Sequence, residues 1–494
     1  MRARLVALLL LGALAGTTVA AAAPLARILG TSRADLLAGR QGPDTIVAGR
    51  GNDRIAAEYD NGVDRISCGP GRDILVADPQ DRVDRDCEVV SRRISRDLFT
   101  NPESVHETEA EPDSFTVAAT TVTTFQVGRM SAGGATSLGF ATSKDGGRTW
   151  RQGLLPSLTK ASRPAGPSDR ASDPVVAYSV KHGMWLISGL AIQNGVATRL
   201  TIQRSRDGLS WSAPVDAALA QFAELAYDKQ WLTCDNGPAS PYRGRCYLAY
   251  TDLRGRDEIF ALQRSDDGGL TWSAPVTFPI HLVGVIPVVQ PDGKLVLSSW
   301  SPTAPGIVAL TSVDGGQTLG APLTFSDLRT KDARPFREPP LIASELDRQG
   351  GVLVAWQDCR FRPSCTENDV VLSRSTDGVT WSPPARVTSR RNAVMPTIGV
   401  DPQTGRLAVL YYALYPDGAD AELVTSADGI RWTAPQRLNA RRMSLDWMPQ
   451  TTLGRMLADY IAVTWSRGRP VAIYAHASPP RNGKLRQAIY ATDR

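Results

Sequence analysis

Histidine is scarce in this chain of 494 residues: His106, His182, His281 and His476 stand far apart, with no HExxH or His-x-His spacing. That removes the usual signature of a zinc hydrolase. No GxSxG elbow and no phosphate-cradling glycine loop occurs, so nothing points to a serine hydrolase or a nucleotide-dependent enzyme. The six cysteines include no CxxC pair, which argues against zinc ribbons and thiol redox chemistry. A helical period sustained over three or four turns is missing from about residue 113 onward. Beyond the first residues no stretch offers 18 apolar residues in a row, so no later membrane-spanning helix is expected. The net charge of +5 is spread out, with no basic cluster interleaved with aromatics, which makes nucleic acid a poor partner.

What is present begins with Met1-Arg2-Ala3-Arg4, the mostly apolar run from Leu5 to Leu14 and the small residues Thr17 to Ala23. This reads as a secretory signal peptide over residues 1–23, cut near Ala22 or Ala23, and predicts a secreted or cell-surface protein. The cysteines agree with export. They fall in close pairs, and three local disulfides are expected: Cys68–Cys87, Cys234–Cys246 and Cys359–Cys365.

Residues 24–90 follow one grammar. Asp35, Asp44 and Asp53 recur every nine residues; after a slip of two, Asp64 and Asp73 are again nine apart. Aliphatic residues such as Leu36-Leu37, Ile46-Val47 and Ile74-Leu75 follow each turn. The pattern resembles the calcium-binding nonapeptide repeat of RTX proteins, whose turns bind Ca²⁺ and whose aliphatic residues stack inside a parallel β-roll. The resemblance implies a structural Ca²⁺ with Asp35, Asp44, Asp53 and Asp73 as ligands, since clustered carboxylates suit a hard cation. The alternative is a metal-free mini-solenoid held by Cys68–Cys87. The acidic run Asp78, Asp81, Asp84, Asp86 and Glu88 is interleaved with Arg82 and Arg85 and reads as a solvated cap. Residues 91–112 carry many charges and little apolar pattern, and read as a linker.

From 113 to 494 the grammar changes. SKDGGRTW (Ser143 to Trp150) returns as SRDGLSW, SDDGGLTW, SVDGGQTL, STDGVTW and SADGIRW, with aspartates at 145, 207, 267, 314, 377 and 428. In each, the carboxylate can accept nearby backbone N–H groups while glycine tolerates positive φ, which makes a hairpin corner. A repeat of this period between alternating strands means a radial or solenoid architecture. The pattern resembles the Asp-box, or BNR repeat, of sialidase-like proteins. The expected fold is therefore all-β: a sialidase-like β-propeller of six or seven blades with a small β-roll-like segment before it.

Inner strands line a propeller's channel, and the acids expected to open such strands are Glu109, Glu111, Asp173, Asp228, Glu338 and Asp459. Asp173, Asp228, Glu338 and Asp459 are the catalytic candidates, because two carboxyl groups can divide acid and base roles on a glycosidic bond. Adjacent strand residues face opposite sides, so Arg337 is expected to point away from Glu338 if the backbone there is extended. The sialidase resemblance implies an arginine clamp, for which Arg129, Arg170, Arg337, Arg362 and Arg455 are available, and Tyr460 puts a phenol beside Asp459. No Phe/Tyr-Arg-Ile-Pro motif precedes Ser143. Trp231 fits the core better than a sugar platform; Arg360 and Arg362 are expected to project from their disulfide loop; the stretch from Trp447 to Tyr460 is expected to rim the pocket. Two functions are open: a secreted sialidase-like glycoside hydrolase acting on extracellular glycans, or a non-catalytic propeller that binds glycan or protein.

Overall fold

The computed structural model describes residues 26–60, 62–220, 225–254, 257–303 and 306–492, and the expected signal peptide lies outside them. The chain begins as a two-sided solenoid of short parallel strands. One side stacks Ala26–Leu29, Asp44–Val47, Arg65–Ser67 and Arg82–Val83; the other stacks Leu36–Ala38, Arg54–Ala57, Ile74–Ala77 and Val89–Arg93. The nine-residue spacing is thus half a coil. Arg54 lies under Leu36 but Ile74 lies under Arg54, so the two-residue slip in sequence is a longer coil. Ile46, Ile55, Ile66, Leu75 and Val90 fill the space between the sides, closed by the Cys68–Cys87 disulfide.

The rest is antiparallel. Among the described residues, six groups of four strands run from Glu109 to Arg437, the first two joined by a bridge between Ala135 and Ala171. Strands in the middle of a group are covered on both faces; Val352–Asp358 is buried throughout, so it reads as a continuous apolar run. A further group, Ala462–Ser466, Arg469–Arg481 and Lys484–Thr492, packs between the sixth group and the first. Trp465 donates to the Gly399 carbonyl at 3.0 Å and Gln487 to the Glu109 carbonyl at 3.0 Å, which closes the ring of a β-propeller. Val89–Arg93 pairs with Lys484–Thr492 and completes this group with a fourth strand. Strand residues therefore occupy both ends of the stretch read as a linker, since Glu109–Val117 also begins inside it.

The Ser-x-Asp turns stitch neighbouring groups. In the third, Asp267 accepts hydrogen bonds from Ser265 Oγ, Leu270 N, Thr271 N and Thr271 Oγ1 at 2.6–3.0 Å. Gly269 (φ +84) lies so close to Leu186 that a Cβ would sit 2.3 Å from its Cδ2. The second, third and fourth turns also offer a carbonyl to a cation of the preceding group: Lys144 to Asp207 at 2.5 Å, Arg204 to Gly268 at 2.7 Å, Arg245 to Gly315 at 2.9 Å. All three expected disulfides are present.

Candidate active site and metal centre

Five inner strands share a defect. Their pairing skips two residues, and the first of each skipped pair has positive φ: Glu111 (+54), Asp173 (+49), Lys229 (+50), Gly284 (+64) and Met395 (+55). Pro112, Pro174 and Pro396 fill the next place, where a bulge needs no ladder N–H. A left-handed conformation costs a non-glycine residue about 1–3 kcal/mol and persists only where its surroundings enforce it. Three of these bulges, at Glu111, Asp173 and Lys229, line one cleft of ≈ 840 Å³.

Asp228, Glu338 and Asp459 line the same cleft, so all four catalytic candidates meet there. Their environments differ. Asp459 is 1% exposed; Lys229 Nζ lies 3.0 Å from its Oδ2, Arg337 Nε donates to Oδ1 at 2.7 Å, and Arg337 Nη2 also donates to Oδ2. Burial works against the charge, but these two cations hold the carboxyl well below its usual range. Lys229 also reaches Asp173 Oδ2 at 3.2 Å, and against its own burial Asp173, Asp459, Asp228 and Glu111 keep it cationic far above its ordinary range. Asp228 is half-buried, accepts from the Lys229 backbone N–H at 2.9 Å, and is pushed up to about 6 by burial. Glu338 accepts from Ala333 N at 3.0 Å and from Gln357 Nε2; burial pushes it up to about 7. Glu111, 1% exposed and bonded to Gln126 Nε2, is pushed up to about 8 by burial and then by the Asp173 and Asp459 charges. A network runs on from Gln126 Nε2 to Ser172 Oγ (3.0 Å) and from Ser172 Oγ to Asp173 Oδ1 (2.5 Å).

Arg129 and Arg170 flank the cleft at a glycine turn, donating to Gly134 O at 2.8 Å and Gly133 O at 3.2 Å. Among the described residues neither meets a carboxylate at ion-pair distance. Thr452, Leu453 and Asp459 bring the 447–460 stretch to the rim.

Several expectations need correction. Arg337 does not point away from Glu338: both lie in irregular backbone between Leu323–Ser326 and Ala343–Leu346, so strand alternation does not apply, and both line the cleft. Tyr460 is turned from the cleft; its hydroxyl donates to Pro174 O at 3.0 Å and its ring meets Trp231 edge-on at 5.4 Å. The two rings line a separate cavity of ≈ 130 Å³ with Asp113 and Glu345, both pushed up to about 7 by burial. Arg360 and Arg362 fold back onto Asp358 (2.7 Å) and Asp369 (2.7 Å) rather than projecting. Lys229 was not legible as a site residue. A strand pattern broken by Asp-Lys-Gln-Trp is the only trace of its bulge.

In the solenoid the aspartates form two ladders. Asp53 accepts the Asp35 N–H at 2.8 Å, Asp73 that of Asp53 at 2.7 Å, and Glu88 that of Asp73 at 2.9 Å. In the second, Asp64 accepts from Asp44 at 2.8 Å and Asp81 from Asp64 at 3.0 Å. Asp78 and Asp81 are thus buried rungs and not a solvated cap, because the coil above needs their oxygens. One oxygen of Asp53, Asp60, Asp64 and Asp73 is buried with no donor. Of these, Asp60 and Asp64 converge with Asp44, ligand atoms lying within 4.8 Å of one another. Burial, reinforced by the Asp60 and Asp81 charges, pushes Asp64 up to about 8. Buried carboxylate oxygens lacking a donor fit a hard cation such as Ca²⁺. Asp35, at the open end, instead accepts from Thr31 N at 2.6 Å and Thr31 Oγ1 at 2.9 Å.

The family described as the RTX calcium-binding nonapeptide repeat (4 copies) matches residues 29–58. The N-terminal coils fit a β-roll of the kind that this repeat builds. A search of curated proteins finds no match. Among solved structures, the chain is similar to a Hadza microbial sialidase at 17% identity and TM-score 0.47, over 63% of this chain and 64% of that one. It is similar to Trypanosoma rangeli sialidase in complex with sialic acid at 14% identity and TM-score 0.47, over 68% and 59%. A polysaccharide lyase, an ulvan lyase, is similar at 11% identity and TM-score 0.47, over 78% and 94%. The chain spans less than two thirds of either sialidase's length.

Proposed function

We propose that the protein is a secreted glycoside hydrolase of sialidase-like fold, with seven blades, acting on acidic extracellular glycans at the cleft. The observation that carries this is the division among its carboxyl groups. Asp459 is held ionised by Lys229 and Arg337, while Glu338 and Glu111 are pushed to about 7 and about 8, so that each retains a protonated fraction near neutrality. Glycosidic cleavage needs such a division. Glu338 or Glu111 gives a proton to the leaving oxygen; Asp228, open to the cleft and with the lowest raised value of the three, takes one from water. The Asp173–Lys229–Asp459–Arg337 set is a positioning floor, because its charges are already matched. Arg129 and Arg170, with no carboxylate of their own, would receive an acidic group of the sugar. Three disulfides support an extracellular setting, and the β-roll would hold structural Ca²⁺ through Asp44, Asp60 and Asp64, with the donor-free oxygens of Asp53 and Asp73 as further ligands.

A second reading, a non-catalytic propeller that binds glycan or protein, is favoured by the ion pairing of Asp173 and Asp459, which takes two of the four candidate acids out of play. The test is turnover of sialylated, uronate-containing and sulfated glycans by the purified protein, with binding measured in parallel. Asp228→Asn and Glu338→Gln are each expected to cut turnover by at least about 10²-fold. Binding without turnover across the panel would transfer the assignment to the second reading.

A further inference from the structure

Val89–Arg93 belongs to two architectures at once. It is the last rung of the calcium-type coils, parallel to Ile74–Ala77, and the fourth strand of the group that closes the propeller, antiparallel to Lys484–Thr492. One sheet therefore runs unbroken from Leu36–Ala38 to Ala462–Ser466. The N-terminal segment is not an appended module.

The Asp44–Asp60–Asp64 pocket touches this junction by two routes. Asp78 Oδ2 accepts the N–H groups of Tyr59 (2.9 Å) and Asp60 (3.4 Å), and Asp78 Oδ1 meets Arg93 Nη2 of the shared strand at 2.9 Å. The loop just before Asp60 also grips the propeller directly. Glu58 Oε1 accepts from Ser478 Oγ at 2.8 Å; Arg486 Nη2 donates to the Glu58 and Tyr59 carbonyls at 3.1 and 3.0 Å; and Arg93 and Arg486 both lie over the Tyr59 ring. Glu58 is buried here, 3.9 Å from His476 of the closing group. Asp60 and Asp64, 5% and 0% exposed, each aim an oxygen without a donor into the pocket.

We infer that a divalent cation held by Asp44, Asp60 and Asp64 sets the stability of the closed propeller, through the Glu58–Asp60 loop and the shared strand. This rests on the reading of the β-roll as a calcium site. Without the cation, three buried carboxyl groups face one another with no compensating charge, and the loop that carries Asp60 is also the contact surface for Ser478 and Arg486. A cation draws the three together and holds that loop in place. Because β-propellers close only where first and last elements meet, order in this one segment is transmitted to the whole ring.

The test uses the full chain. All eleven tryptophans lie between Trp150 and Trp465, so tryptophan fluorescence reports on the propeller alone. Calcium chloride is titrated calorimetrically, and fluorescence melts are recorded with chelator and with calcium at about 100 times its Kd. The expected result is binding heat and an upward shift of the tryptophan-detected midpoint by about 3 °C or more. In D60N/D64N the shift should vanish while the melt in chelator stays near wild type. In R486A the Kd should change less than about twofold while the shift falls by half or more. Binding heat with no shift in the tryptophan melt would overturn the coupling and leave the calcium site standing. No binding heat up to millimolar calcium would overturn both.

Discussion

Aspartate recurs at turns in both parts of the molecule, and the two parts use it in opposite ways. In a propeller turn such as that of Asp267, both oxygens accept hydrogen bonds, and burial is outweighed by Thr271 and Ser265, so the carboxyl is held down to about 2. In the β-roll, Asp64 gives one oxygen to the Asp44 N–H and buries the other without a donor, and the carboxyl is pushed up to about 8. The residue type and its recurrence at turns are shared. What differs is whether the protein itself supplies donors for both oxygens. A satisfied carboxylate ties a corner; one that is half-satisfied and buried keeps an oxygen that a cation could take.

The strongest test of that contrast exchanges the two sites. Asp64→Asn should weaken calcium binding by about 10–100-fold in a calorimetric titration, the loss expected for a site stripped of an ionised oxygen. Asp267→Asn should leave calcium affinity unchanged. A comparable loss at Asp267 would remove the distinction.

The next effect is on folding. Asp267→Ala deletes the acceptor for two backbone N–H groups and two hydroxyls, and should cost about 1–2 kcal/mol by denaturant unfolding, as for a lost helix cap. Cleft turnover should stay within about twofold, since the turn lies at the far edge of the group.

The pH dependence separates satisfied from unsatisfied acids inside the propeller as well. Asp267 and Asp314, held at about 2, contribute stability that is present above their unfolded value near 4 and lost as pH falls through about 2. Asp113 and Glu345, at about 7, contribute in the other direction. Their stability is full below about 4 and lost as pH rises through about 7. Melting temperatures should therefore peak in mildly acid solution, and Asp113→Asn with Glu345→Gln should flatten the fall between pH 5 and 8. A pair of substitutions that leaves that limb unchanged would contradict the burial argument.

The smallest effect is expected at the stitches. Lys144→Met removes one donor to the Asp207 carbonyl at an exposed edge, and should cost only a few tenths of a kcal/mol. A loss above about 1 kcal/mol would mean that the cation–carbonyl links carry more of the ring than the aspartate turns do.

Much was legible along the chain because it depends on neighbours in sequence. The turn aspartates and their glycines, the half-coil spacing of the β-roll and the three disulfides all involve partners within about twenty residues, and local chemistry dictates them. The four acids of the cleft were also visible, as carboxylates expected to open inner strands. Their roles were not. Asp459 and Glu338 look alike in sequence, yet Lys229, 230 residues before Asp459, keeps one ionised while burial pushes the other up to about 7. The bulges that aim Glu111, Asp173 and Lys229 inward depend on pairing with the next strand, which no local pattern specifies. Nor does any local pattern tell that Val89–Arg93 will meet Lys484–Thr492, nearly four hundred residues later in the chain. Periodicity and turn chemistry are properties of short segments, and the sequence alone determined them. Protonation, strand-sharing and the ion pairs of the cleft arise where distant segments exclude water together, and only the closed ring decides which carboxylates meet a cation there.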